Sequence, residues 1–173
     1  ASKHENLPIK DLTKKYFEIY MEDISLIGIN PPDIQPFATD FIEEMIAYID
    51  KLIGLNKAYE ASGNVLFRVN TFENYGCLSG RKIEEQKHGK RVEVESYKEN
   101  ENDFTLWKPS RKDEPGWNSP WGYGRPGWHL ECSVMSEITL DIPFDIHGGG
   151  NDLKFPHHEN EIAQTCACND LDN

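Results

Sequence analysis

Nowhere does this 173-residue chain hold the roughly 18 consecutive apolar residues that a membrane helix requires. Its first residues, ASKHENLPIK, lack the apolar core of a secretory signal. Basic residues are few beside acidic ones: 18 Lys and Arg stand against 30 Asp and Glu, for a net charge of −12. So acidic a segment makes a poor platform for a phosphate backbone, which needs clustered Lys and Arg. Cysteine is scarce too. Cys77, Cys132, Cys166 and Cys168 are too scattered for a secreted disulfide scaffold, so the reading is a cytoplasmic protein whose thiols are buried or ligate metal. No G-x-x-x-x-G-K or H-E-x-x-H occurs, which lowers the P-loop and metalloprotease readings.

What is present suggests folded elements. Residues 11–28 carry Leu12, Tyr16, Phe17, Tyr20, Ile24 and Ile27 at helical spacing, with Gly28 as a stop. After the prolines of NPPDIQPFAT, a second helix is predicted from Asp40 to Gly54. Asp40 and Glu43 form its capping box, and Phe41, Met45, Ile49 and Leu52 its apolar face. KAYEASGNVLFRVN reads as two short strands around a Ser-Gly-Asn turn. From 71 to 127 the pattern is loop-like, apart from a short strand at DFTLWK. EPGWNSPWGYGRPGW is too rich in Gly and Pro for regular structure, and its tryptophans suggest an ordered, packed loop. WHLECSVMSEI then predicts a helix, FDIHGGG a strand, and FPHHENEIAQTCA a helix with Pro156 at its first position, the order of an open α/β sheet.

The chemistry concentrates at the end. Residues 128–173 hold four of the six histidines, one Lys, no Arg and nine Asp or Glu, an environment suited to a divalent cation. His157 and Glu161, at i and i+4, can reach one ion, although such a pair equally describes a solvated helix face. Cys132 lies 25 residues earlier, across the predicted strand, and is either a third ligand or a small core residue. HGGGND lets a ligand approach the backbone, with Asp152 placed to accept from a ribose; a tight turn would need the same glycines. Cys166 and Cys168 point apart on a helix and read as core thiols.

GRPGWHLECSVM followed by FDIHGGGNDLKFPHHENEIAQ resembles the cysteinyl-tRNA synthetase family, and PSRKDEPGWNSPWG and YGCLSG are similar to its upstream stretches. The resemblance implies an α/β fold: part of a class I, Rossmann-type catalytic domain with a helical, loop-rich insertion. It divides into a helical segment (1–55), an insertion with a hairpin and a Gly/Pro/Trp-rich loop (56–127), and the start of the second Rossmann half (128–173). The implied activity joins L-cysteine to ATP, with Mg2+, and passes it to tRNA(Cys); the implied full-length enzyme is monomeric. Cys132, His157 and Glu161 match three of four Zn2+ ligands, the fourth being an upstream cysteine. Trp128 and His147 match the amino-acid pocket, Trp128 as a buried wall. Gly149, Gly150 and Asp152 match the adenosine-ribose segment.

Neither HIGH nor KMSKS, the family's adenylation motifs, occurs here, so this chain alone is expected to be inactive. Zinc suits the substrate: a soft thiol distinguishes cysteine from serine where an apolar pocket discriminates only about a hundredfold. Two rivals stand beside this reading: a ligase joining cysteine to an amino sugar, which shares the zinc signature and the adenylation step, and, from a different class, a structural zinc or plain protein-interaction module. A zinc hydrolase would need Glu159 as its base.

Overall fold

A computed structural model describes residues 5–81 and 96–171, which fall into two compact units, 1–35 and 36–173. The first unit is built on helix α1 (Ile9–Leu26), two residues earlier than its periodicity predicts. Gly28, at φ +79°, follows the helix end in the left-handed region that favours glycine. Of its apolar residues Leu12 is buried, whereas Tyr16, Ile19, Tyr20 and Ile27 are exposed.

The second unit carries the site. Its first helix, α2 (Ile42–Gly54), buries Ile42, Met45, Ile49 and Leu52 as one stripe at helical spacing, with Tyr48 beside them. The capping box does not form. Asp40 belongs to a short turn, Ala38–Asp40, where its own N–H donates to Phe37, and Phe41 takes the cap position with no side-chain bond.

Strands β1 (Ala58–Ala61) and β2 (Asn64–Phe67) make the predicted hairpin, with Ser62 and Gly63 at positive φ in its turn. β3 (Phe104–Pro109) and β4 (Gly124–Pro126) complete a four-stranded antiparallel sheet in the order β1-β2-β3-β4. β4 lies within a stretch read as too rich in Gly and Pro for regular structure. It pairs because Gly124 has no side chain: a Cβ there would stand 2.4 Å from Trp107 Nε1 and 2.5 Å from Lys108 O. Val65, Leu66, Phe67, Leu106 and Trp107 are fully buried, and Trp117 and Trp121 pack on this core, so the tryptophan-rich loop is ordered as expected. Asp103 ties the sheet together. Its carboxylate accepts from Tyr59 Oη at 2.8 Å, Val69 N at 3.0 Å and Asn100 N at 3.0 Å.

Helices α3 (Trp128–Leu140) and α4 (Glu159–Asn169) close the unit. Between them the structure departs from the prediction. FDIHGGG is not a strand, because a strand exists only through the neighbour that accepts its hydrogen bonds, and no described segment pairs with 144–150. Helix, strand, turn, helix is therefore helix, extended loop, helix. Pro156 is not the first residue of α4 either; it sits in a wide turn, Lys154–His158, in which Phe155 is extended. The charged stretch 82–95, expected to be a loop, lies outside the described residues.

Candidate metal centre

α3 and α4 pack against each other, and a buried bond from Ser133 Oγ to Gln164 Oε1, 2.6 Å long, sets their register. Cys132, beside Ser133, thereby comes to Glu161, three residues before Gln164 along α4. His157 joins them from the turn that feeds the helix. One ligand atom each from Cys132, His157 and Glu161 lies within 4.8 Å of the others. His157 and Glu161 are buried, at 5% and 6% exposure, and Cys132 is partly buried.

The donors face one another without satisfying one another. His157 Nε2 stands 2.8 Å from Glu161 Oε1, yet that oxygen accepts no hydrogen bond among the described residues. The other ring nitrogen of His157 lies 2.8 Å from His129 Nδ1. Burial, with His157 beside it, pushes the pKa of His129 down to about 4, so at neutral pH its ring is uncharged and can accept. The tautomer of His157 that donates Nδ1–H to His129 leaves an Nε2 lone pair turned towards Oε1. Burial also lowers the pKa of His157, despite the opposing pull of Glu161. Burial and then the Glu161 charge push the Cys132 thiol up to about 12. A cation at the shared point would resolve all three strains, and thiol, imidazole and carboxylate are a donor set that zinc accepts.

The remaining expected residues divide. His147 reaches the cluster, its Nε2 3.1 Å from Glu161 Oε2, and lines a cavity of 500 Å³ together with Cys132, Gly149, Gly150 and Glu161. Asp152 does not line that cavity; its carboxylate folds over Gly150, where a Cβ would stand 2.3 Å from Oδ1. Trp128 is not a buried wall. It packs on His157, ring centroids 4.7 Å apart, but 61% of it is exposed because it occupies the first position of α3, where the chain leaves β4. Glu159 cannot serve as a base beside the metal. Fully buried, it accepts from the N–H groups of Gly76 at 2.8 Å and Ser79 at 2.9 Å, anchoring that loop to α4.

Two residues of the cluster escaped the sequence reading. His129 lies three residues before Cys132, so helical spacing already placed both on one face. His158, adjacent to His157, promised a different direction; the wide turn instead brings its Nδ1 to 3.1 Å from Glu161 Oε2.

A model of the tRNA synthetases class I (C) catalytic domain matches residues 1–173. The chain belongs to that family. A cysteine–tRNA ligase of Maricaulis maris (strain MCS10) is 55% identical over 168 residues, 96% of this chain and 36% of the relative. One from Jannaschia sp. (strain CCS1) is 53% identical over 163 residues, covering 94% of the chain and 36% of the relative. One from Saccharophagus degradans is 55% identical over 168 residues, covering 96% and 37%. The chain thus spans about a third of the length of these curated relatives. The part of the class I synthetase domain described here is mixed α/β, an antiparallel sheet with flanking helices, and the cluster sits where α3 meets the entrance of α4. No helix among the described residues is long and apolar enough to cross a membrane.

Proposed function

We propose that the complete protein containing this chain is a cysteine–tRNA ligase, which activates L-cysteine with ATP and Mg2+ as the adenylate and passes it to tRNA(Cys). The observation that carries this reading is the convergence of Cys132, His157 and Glu161, with the Oε1 atom of Glu161 left without a donor. These residues would hold Zn2+, whose open position binds a substrate thiolate and rejects the harder hydroxyl of serine. Cys132 gives up its proton to ligate, and the neighbouring carboxylate that disfavours a free thiolate becomes a fellow ligand. His129 orients His157. Trp128 packs on His157, and His147, on the cavity wall, would face an incoming amino acid. Gly149 and Gly150 would border the adenylate. The relatives found carry the tRNA-ligase name, which favours an RNA acceptor over an amino sugar. Without HIGH and KMSKS, the 173 residues alone should not support ATP–pyrophosphate exchange.

The test is spectroscopic. With Co2+ in place of zinc, added cysteine should change the ligand-field spectrum at concentrations where serine does not. An unchanged spectrum with cysteine would exclude the substrate-reading role and favour a closed structural site.

A further inference from the structure

The Cys132–His157 cluster uses one oxygen of Glu161, and the other oxygen faces a different pair of rings. His147 Nε2 and His158 Nδ1 each stand 3.1 Å from Oε2, and these three atoms lie within 4.8 Å of one another. A tetrahedral ion with bonds of about 2.0–2.2 Å has ligand–ligand edges of roughly 3.3–3.5 Å, so small side-chain shifts would admit one. We propose that His147, His158 and Glu161 Oε2 form a second cation site, for a zinc-class divalent ion, with Glu161 bridging it to the first.

Packing preorganises the site. The His158 ring lies against the backbone of Gly149, where a Cβ would fall 2.2 Å from Nε2; any side chain at 149 would evict the ring. Its Nε2 is buried and has no hydrogen-bond partner among the described residues, so the ring's polar contact there is through Nδ1, 3.1 Å from Glu161 Oε2. The Nδ1 edge is thereby turned to Glu161. His147 meets His158 edge-on, centroids 4.8 Å apart, and stacks on Phe144 at 5.9 Å.

The two sites differ in chemistry. Two imidazoles and a carboxylate form a harder set than one containing a thiolate, and suit zinc, nickel or copper. His147 keeps 38% of its side chain exposed and opens into the 500 Å³ cavity, so an ion there can exchange with solvent. Carboxylate-bridged pairs of metals sit about 3.5–4 Å apart. At that distance the ions repel, which makes the second site the weaker one. Its ion would stand where His147 faces the cavity, and excess zinc would then obstruct whatever ligand enters there.

This inference shares Glu161, His147 and Gly149 with the tRNA-ligase reading, but its test uses Co2+ and no cysteine, so the two fail separately. The probe is Co2+ alone, titrated into the metal-free chain. Two ions should bind, one accompanied by a thiolate-to-cobalt charge-transfer band. H147A, a change at an exposed position, should lower the stoichiometry from two to one and keep the band; H158Q should do the same. C132S should abolish the band yet retain the His147-dependent ion. Saturation of the wild-type chain at one ion would overturn the proposal, as would two ions retained in both histidine variants. Absence of the band with the His147-dependent ion present would count against Cys132 and leave the second site standing.

Discussion

His129 Nδ1 and His157 Nδ1 lie 2.8 Å apart, so a histidine one turn before Cys132 on α3 sets which ring nitrogen His157 can offer to a metal. Partners of this kind typically contribute 10–100-fold to metal affinity. His129→Phe preserves ring bulk and removes the acceptor; it should weaken zinc binding by about that factor, measured by competition with a chromophoric chelator. Wild-type affinity in the variant would mean that the Trp128 contact alone orients His157.

Cys132→Ser and Glu161→Gln test the ligands themselves. Each should cut zinc affinity by more than the 10–100-fold typical of an outer partner, because a direct bond is lost. Elemental analysis after dialysis against metal-free buffer reads the result. Unchanged circular dichroism would confirm that the loss belongs to the site and not the fold.

Glu159 should matter for stability and not for metal. Glu159→Gln keeps one acceptor oxygen and turns the other into a donor facing the N–H of Gly76 or Ser79. The expected cost is about 2–3 kcal/mol, read as a lower denaturant midpoint, with zinc stoichiometry unchanged. Loss of metal at constant stability would instead place Glu159 in the site.

At Gly127, which joins β4 to α3, an added Cβ would stand 2.0 Å from Thr105 O. Backbone cannot yield as a flexible side chain can. Gly127→Ala should destabilise by roughly 3 kcal/mol or more, since β3 and the start of α3 must separate. A thermal midpoint equal to wild type would show that the approach relaxes freely.

Tyr59 supplies an alkaline signature. Burial, chiefly, and its bond to Asp103 push the phenol up to about 12, from an ordinary value near 10. Between those limits the unfolded chain has lost the proton and the folded one retains it, so unfolding free energy falls as pH rises. The contribution is complete below pH about 10 and gone above about 12. Tyr59→Phe should flatten this part of the stability curve, measured by denaturant titration across it; an unchanged slope would mean that another group titrates there.

Helical periodicity found α2 and α3 closely because a helix satisfies its hydrogen bonds within itself, and a stripe such as Met45, Ile49 and Leu52 records which face is buried. The hairpin at 58–67 was legible for a similar reason, its turn residues being adjacent in sequence. The strand expected at FDIHGGG failed where the partner matters: its apolar residues suit a strand, but pairing depends on distant chain. β4 was missed on the opposite grounds. Gly124 and Pro126 look like breakers, and only the approach of Trp107 shows why a glycine is needed there.

By itself the sequence determined the family, the local helices and the identities of Cys132, His157 and Glu161 as ligand candidates, since residue types and near-neighbour spacing are properties of the chain alone. Tertiary structure alone decided that the two oxygens of Glu161 face different histidines, that His129 and His158 join the cluster, that Trp128 faces solvent and that Glu159 belongs to a loop anchor. The reason is geometric. Those relations depend on the register of α3 against α4 and on one wide turn before α4, where a rotation of a few tens of degrees exchanges one donor for another, and no spacing along the chain records such an angle.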